Sequence, residues 1–200
     1  MAQFTEAFAG ATRVVFGPAN MDIAGGDAPP SPFSASEESV KASTAVIDAT
    51  RAQTLHIIVY SGTPHAAALR HVDLARNRTL RALKIEVVYD TLDGSRIIDV
   101  WRSILAVLRS ITEATALECL TLTSPVPLAS LRAGWSRSAL VAALRQPLYS
   151  IDHCLVGIVD SAPVEYVVVV APQGETFLST DWARARSLLP ALYDYGMLRH

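Results

Sequence analysis

The sequence contains little cysteine, little imbalance of charge and no long apolar run. Its two cysteines, Cys119 and Cys154, lie inside apolar stretches where a free thiol acts as a small hydrophobic side chain, so a disulfide framework is not expected. The 17 basic and 19 acidic side chains nearly cancel, which excludes a strong positive field for nucleic acid or anionic membranes. The most apolar stretch, residues 164–171, is much too short to span a bilayer as a helix.

The first residues of the chain also lack the basic segment followed by an apolar one that marks a secretory signal. Together with the two free thiols, this predicts a cytoplasmic or nuclear location. Half of the 200 residues are hydrophobic, enough to bury a sizeable core in one domain.

Composition divides the chain near residue 50. Residues 1–50 are predicted to hold a short strand at 12–16, a flexible linker rich in glycine, proline and serine at 17–32, and a short helix. That helix begins at Ser34, because Ser34-x-x-Glu37 has the spacing of a capping box. Residues 51–200 are predicted to form one α/β domain.

Within this domain, hydrophobic periodicity predicts both strands and helices. Residues 55–60 are β-branched, aromatic and short, as in a buried strand, whereas apolar residues between 95 and 114 recur at helical spacing. A second helix is predicted around 135–144. A last helix is predicted to follow Asp181, with a break at Pro190 and a stop at Gly196.

A short apolar pattern recurs along the domain and predicts a repeated unit. Segments starting at Leu80, Leu117 and Ile151 each show apolar residues at the first, fourth and sixth positions, roughly 35 residues apart. This predicts strand, loop and helix units that build a mostly parallel sheet. The same pattern at Leu69, Val72 and Leu74 predicts a further strand-like segment just before the one that starts at Leu80. Residues 164–170 are predicted to return as an antiparallel strand, because the loop before them is too short for a parallel crossover from a strand at 151–158.

These segments resemble a leucine-rich repeat, whose consensus is met at Leu69, Val72, Leu74, Asn77 and Leu80. More specifically, the chain from about residue 50 resembles the degenerate leucine-rich-repeat region of uncharacterised F-box-like proteins of mushroom-forming fungi. Its closing pattern, with Trp182, Leu189-Pro190-x-Leu192 and Gly196-Met197-Leu198, is similar to the end of those regions. The resemblance implies an irregular leucine-rich-repeat-like α/β fold and a role in protein binding.

Where an F-box is present, such proteins resemble substrate adaptors of cullin-type ubiquitin ligases. The F-box pattern is absent here, and the only Leu-Pro pair, Leu189-Pro190, lies near the other end of the sequence. Binding of cullin-ligase subunits is therefore not expected of this chain, which is either a truncated member of a longer protein or a free-standing repeat domain.

The resulting hypothesis is a non-enzymatic protein-interaction module that needs no cofactor or metal. Repeat proteins commonly bind partners through an extended sheet face. The predicted face carries the residues between the repeat leucines, and its candidate protein-binding residues are Arg70, His71, Asp73, Arg81, Lys84, Glu86, Glu118, Thr121, Thr123, Asp152 and His153, with Leu155 beside them.

The sequence contains only weak indications of a catalytic, metal or phosphate-binding site. His153 and Cys154 are adjacent, but on a predicted strand their side chains would point to opposite faces, unlike a nucleophile and its base. No histidine is paired with a carboxylate at i, i+4 or accompanied by a Cys-x-x-Cys motif, so the sequence does not indicate a zinc site. Asp90 and Asp93 fit a turn better than a calcium loop, and no glycine-rich phosphate loop or Gly-x-Ser-x-Gly elbow is present.

Two alternatives to the interaction module remain open. One is a small α/β enzyme with catalytic groups at strand ends, for which Ser61, Asp90 and Asp160 are the candidates. The other is an RNA-binding surface on the basic run from Arg76 to Lys84, although that run lacks interleaved aromatic residues.

Overall fold

The architecture is that of a computed structural model, which describes residues 13–16, 53–61, 69–75, 77–89, 94–113, 115–123, 137–164, 167–170, 183 and 186–199. The predicted linker at 17–32 and the helix after Ser34 lie outside these residues. So do Arg76, Asp90, Asp93, Trp135 and Trp182. Among the described residues no helix combines the length and apolar character needed to cross a membrane.

Six strands form one parallel sheet. They are β1 (Arg13–Phe16), β2 (Thr54–Tyr60), β3 (Ala82–Val88), β4 (Cys119–Thr123), β5 (Val167–Val170) and β6 (Leu198–Arg199). Each strand pairs with the next one along the chain, so the order across the sheet is the order in the sequence. The predicted α/β class and parallel sheet are confirmed.

The helical elements lie in one layer. They are a 3₁₀ turn (Leu69–His71), α1 (Gly94–Arg109), α2 (Arg137–Ser161) and α3 (Pro190–Asp194). The 3₁₀ turn contacts α1, α1 contacts α2, and α2 contacts α3, in chain order. Parallel crossovers are almost always right-handed, and the described helical elements that follow β2 contact one another in chain order, so these elements lie on the same side of the sheet. The sheet therefore has one helix-covered face and one opposite face.

The core lies between the sheet and this helical layer. In β2 and β3 every second side chain is buried, which is the period of a strand with one covered face. Helix α1 adds an apolar stripe that includes Ile97, Trp101 and Leu108, each at most 1% exposed. The indole Nε1 of Trp101 donates to the hydroxyl of Tyr89 at 3.1 Å, so the polar edge of this buried ring is satisfied.

The sequence interpretation of residues 151–158 as a strand is wrong, because they belong to α2. Leu144, Leu148, Ile151, Leu155 and Ile158 are all buried, and their alternating spacing of four and three residues is the period of a helix. The strand interpretation placed Cys154 and Val156 in the core, but both side chains are only partly buried.

The antiparallel return of residues 164–170 is also not supported. Because α2 forms the crossover from β4, the strand that follows it can pair in parallel, and β5 does so along β4. Val164, just before β5, and Val167 and Val169 within it are all buried.

The segment from Leu69 to Leu80 matches a repeat consensus but is not a strand. Leu69, Leu74 and Leu80 are buried, yet the backbone forms the 3₁₀ turn and further turns rather than a ladder. The amide of Leu74 donates to Oγ of Ser110 at 2.8 Å, just past the end of α1, and Asn77 Oδ1 accepts from the amide of Thr79 at 3.2 Å. The segment therefore packs into the helical layer.

The C-terminus of α3 is closed by a Schellman motif. The amide of Met197 donates to the carbonyl of Leu192 at 3.1 Å, and the amide of Gly196 donates to the carbonyl of Tyr193 at 2.9 Å. Gly196 has a φ of 69°, the left-handed conformation that this motif requires and that glycine adopts at little cost. The sequence prediction of a helix stop at Gly196 is confirmed.

Two glycine-to-alanine changes should therefore have opposite effects on stability. A Cβ on either Gly157 or Gly196 would meet no atom within 4 Å, so packing does not distinguish them. Gly157→Ala, in exposed helix, should raise the free energy of unfolding by about 0.5 to 1 kcal/mol. Gly196→Ala should lower it by about 1 kcal/mol because of its positive φ. Urea unfolding checks both, and equal signs would contradict this description of α2 and α3.

Candidate interaction surface

The face of the sheet opposite the helices is formed by alternate residues of the strands. On β2 and β3 these side chains are all of intermediate exposure, whereas their neighbours in the sequence are buried. The parallel register brings His56, Lys84 and Thr121 side by side, and Val168 of β5 continues the same row. We call the side formed by these alternate residues of β2 to β5 the open face.

Three charged or polar side chains of the open face form a hydrogen-bonded cluster. Oε2 of Glu86 lies 3.0 Å from Nε2 of His56 and 3.1 Å from Nζ of Lys84. A carboxylate oxygen can only accept, so Nε2 of His56 carries the proton in this contact. Lys84 and Glu86 were candidate residues from the sequence. His56 was missed because its partner is 30 residues away and adjacent only through the register of β2 and β3.

A second ion pair lies just before the N-terminal ends of β3 and β4. Nη1 of Arg81 is 2.7 Å from Oε1 of Glu118, and both side chains are more than half exposed. The carbonyl of Arg81 also accepts from the amides of Glu118 and Cys119, so the strand register holds the two residues together. Exposed pairs of this kind contribute roughly 0 to 1 kcal/mol to stability.

The two threonines of β4 differ in exposure although they share a side of the strand. Thr121 is partly exposed beside Lys84, whereas Thr123 is 4% exposed and its Oγ1 has no hydrogen-bond partner among the residues that the structure describes. The prediction that Thr123 presents its side chain to solvent is therefore wrong. The accessible part of the open face ends on β4 at Thr121.

Arg70, His71 and Asp73 do not lie on the sheet, contrary to the sequence prediction. They belong to the 3₁₀ turn and the residues after it, on the helical side of the molecule. Nε of Arg70 donates to Oγ of Ser103 at 3.3 Å, and its Nη2 lies 3.5 Å from Oδ1 of Asp99, both on α1. The error follows from the interpretation of residues 69–74 as a strand.

Asp152, His153 and Leu155 are also misplaced by the sequence prediction, because they lie on α2. His153 is exposed and its ring meets that of Tyr149 edge to face, with 4.3 Å between the centroids. Leu155 is buried in the core. Neighbouring residues on a helix do not face each other, so His153 is not directed at Cys154. Burial raises the pKa of the Cys154 thiol, which disfavours the nucleophilic thiolate.

Asp152 has a structural contact that sequence reasoning did not detect. Its side chain is fully buried, with Oδ2 accepting from the amide of Ala191 at 2.7 Å and Oδ1 from the amide of Leu192 at 2.9 Å. These amides belong to the first turn of α3, where no residue of α3 itself supplies a side-chain cap. Asp152 therefore caps α3 from another helix.

The groups proposed for an enzyme do not meet in the described structure. Ser61 follows the C-terminal end of β2 and is buried, with its amide donating to the carbonyl of Val88 at 3.0 Å. Asp160 lies near the end of α2, not at a strand end, and Asp90 is outside the described residues. In the part of the chain that the structure describes, no group of three or more His, Cys, Asp or Glu side chains is placed to hold a metal ion.

Comparison with known proteins finds no matching family model, no matching curated protein and no matching solved structure.

Removal of the Asp152 carboxylate should destabilise the fold. Asp152→Ala leaves two amides of α3 without an acceptor, and we expect the free energy of unfolding to fall by about 2 to 4 kcal/mol. Asp160→Ala is the control, because Asp160 is an exposed carboxylate on the same helix and should change stability by less than about 0.5 kcal/mol. Urea unfolding of both variants checks this, and similar losses would argue against the cap.

The same carboxylate should make stability depend on pH. Burial raises the pKa of Asp152 above its usual 3.8, and the amides of Leu192 and Ala191 offset only part of this rise. Because the folded-state pKa exceeds the unfolded one, the contribution to stability is complete below the unfolded value and is lost as pH rises through the folded value. The stability of the native protein relative to Asp152→Asn should therefore fall from about pH 3 towards neutrality. A flat or rising difference in unfolding free energy would refute this.

Proposed function

We propose that this chain is a non-enzymatic protein-interaction module that recognises another protein through the open face. The observation that carries the proposal is the strand order. With six parallel strands in sequence order, the described helical elements lie on one side of the sheet, and the partly exposed alternate residues of β2 to β5 lie on the other. Proteins built this way commonly use the uncovered sheet face for recognition.

A leucine-rich-repeat-like character is part of the same proposal. It is supported by a pattern of aliphatic residues at the first, fourth and sixth positions. The pattern starts at Leu80 before β3, where the sixth residue is Ile85, at Leu117 before β4, and at Val164 before β5. In each case the first residue is buried and the fourth and sixth align with their counterparts on the neighbouring strand. This proposal also includes the resemblance to F-box-like proteins of mushroom-forming fungi and any relation to ubiquitin-ligase adaptors.

The enzyme and RNA alternatives have less support. Of the three candidate groups, Ser61 follows the C-terminal end of β2, whereas Asp160 lies on α2 and Asp90 is outside the described residues. Of the basic run, Arg81 pairs with Glu118 and Lys84 with Glu86. Neither set concentrates the groups that its chemistry requires, so we put forward no second function.

A pull-down with matched variants tests the proposal. Thr121→Arg places a large side chain on the open face, while Gln146→Arg makes the same addition at an exposed position of α2 in the helical layer. We expect the native chain and Gln146→Arg to retain the same protein from cell extract. Thr121→Arg should retain at least about tenfold less, because a misfitting side chain in an interface readily costs 1.4 kcal/mol.

Mass spectrometry identifies the retained protein, and thermal unfolding of all three chains verifies that each is folded. Recovery of cullin-ligase subunits would support the adaptor role. If the three chains retain the same proteins in equal amounts, recognition through the open face is refuted.

A further inference from the structure

The charged cluster of the open face is asymmetric. The side chains of His56 and Glu86 are 13% and 21% exposed, whereas that of Lys84 is 41% exposed. His56 and Glu86 are therefore both recessed relative to Lys84, and Oε2 of Glu86 accepts from both neighbours. Nζ of Lys84 has three N–H donors and gives one to Glu86, which leaves two directed away from that contact.

The surroundings of Lys84 are partly apolar. Ile58 lies opposite Glu86 on β2, Val88 and Tyr60 form the next row, and Val168 lies in the row of Lys84, two strands away. All four are of intermediate exposure, so each offers some apolar surface to a partner. A partner that covered this surface would remove water from around the ammonium, which strengthens its pairing with an opposite charge.

From this geometry we propose that Lys84 anchors an acidic side chain of the protein partner. The recognised segment carries an aspartate or glutamate next to an aliphatic residue, which packs on Ile58 and Val88. This inference rests on the proposed function, since it names the chemistry of the partner at the same face. A carboxylate fits the two remaining donors of Lys84, which is the more exposed member of its pair with Glu86.

The observations favour a single carboxylate over a polyanion. Binding to a nucleic acid requires several cations that neutralise successive phosphates. On the described open face, Lys84 forms an ion pair with Glu86. Arg81, just before β3, forms an ion pair with Glu118. Arg70 lies on the opposite side, in contact with Asp99. Among the described side chains of β2 to β5, Lys84 is therefore the one lysine or arginine on the open face, whereas a polyanion requires several cations.

Selection from a phage-displayed library of random twelve-residue peptides tests the inference, with the full chain as bait. Lys84→Glu reverses the charge on the open face, and Arg145→Glu makes a matched reversal at an exposed position of α2. Lys84→Met removes the charge but keeps most of the side-chain stem, so it guards against a folding defect in Lys84→Glu.

The native chain and Arg145→Glu should select peptides in which Asp or Glu adjoins Leu, Ile or Val. The best such peptide should bind Lys84→Met and Lys84→Glu at least tenfold more weakly, and selection on Lys84→Glu should favour Lys or Arg instead. Binding to the native chain should weaken as salt rises, as expected for one ion pair.

Four outcomes would overturn the inference. Peptides that lose binding to Thr121→Arg but show no acidic preference would overturn it and leave the proposed function standing. Peptides that bind Thr121→Arg as tightly as they bind the native chain would count against both this inference and the proposed function. If a twenty-nucleotide polyuridine RNA binds the native chain and loses binding to Lys84→Glu with a steep salt dependence, the partner is a nucleic acid. Selection of no peptide that depends on Lys84 also overturns it.

Discussion

Two rows of aliphatic side chains run across the covered face of the sheet and fix the arrangement of everything else. One row comprises Leu55, Leu83, Leu120 and Val167, and the next comprises Ile57, Ile85, Leu122 and Val169, all at most 1% exposed. Each of these side chains contributes roughly 1.5 to 3 kcal/mol by leaving water. A shift of one residue in β3 would bring Lys84 and Glu86 into the core, so burial of the rows sets the register.

The open face is a consequence of that register. Because successive side chains of a strand point to opposite sides, fixing Leu83 and Ile85 inward fixes Lys84 and Glu86 outward. The same register in β2 brings His56 within hydrogen-bonding distance of Glu86. The cluster is thus assembled by apolar packing on the other side of the sheet, and its polar members do not need to direct the fold.

Much of the fold could be predicted from the sequence, because apolar periodicity reports burial directly. The strands at 13–16 and 54–60, the start of α1 and the stop at Gly196 follow from local pattern alone. The two wrong strand predictions, at residues 69–74 and 151–158, have the same cause, and the wrong antiparallel placement of residues 164–170 followed from the second. A pattern of apolar residues at positions one, four and six satisfies a helix, a turn or a strand equally well over so short a window, and only tertiary pairing decides between them.

The candidate surface was less predictable than the fold. Arg81, Lys84, Glu86, Glu118 and Thr121 lie on or beside the sheet, where alternation within a correctly predicted strand puts them. Arg70 and Asp152 are misplaced because their segments are not strands. The contacts of His56 and Asp152 join residues 30 and about 40 positions apart, and no local pattern encodes such pairs.

The strand order described above also bears on how the chain acquires its structure during synthesis. Every strand after β1 is paired with the strand that precedes it in the chain. Its pairing partner has therefore already been synthesised when the new strand emerges from the ribosome. Each new pairing closes a loop of one crossover only, and the entropy of loop closure grows slowly with length. The sheet can therefore extend one strand at a time from its N-terminal side, and no strand has to wait for a distant partner.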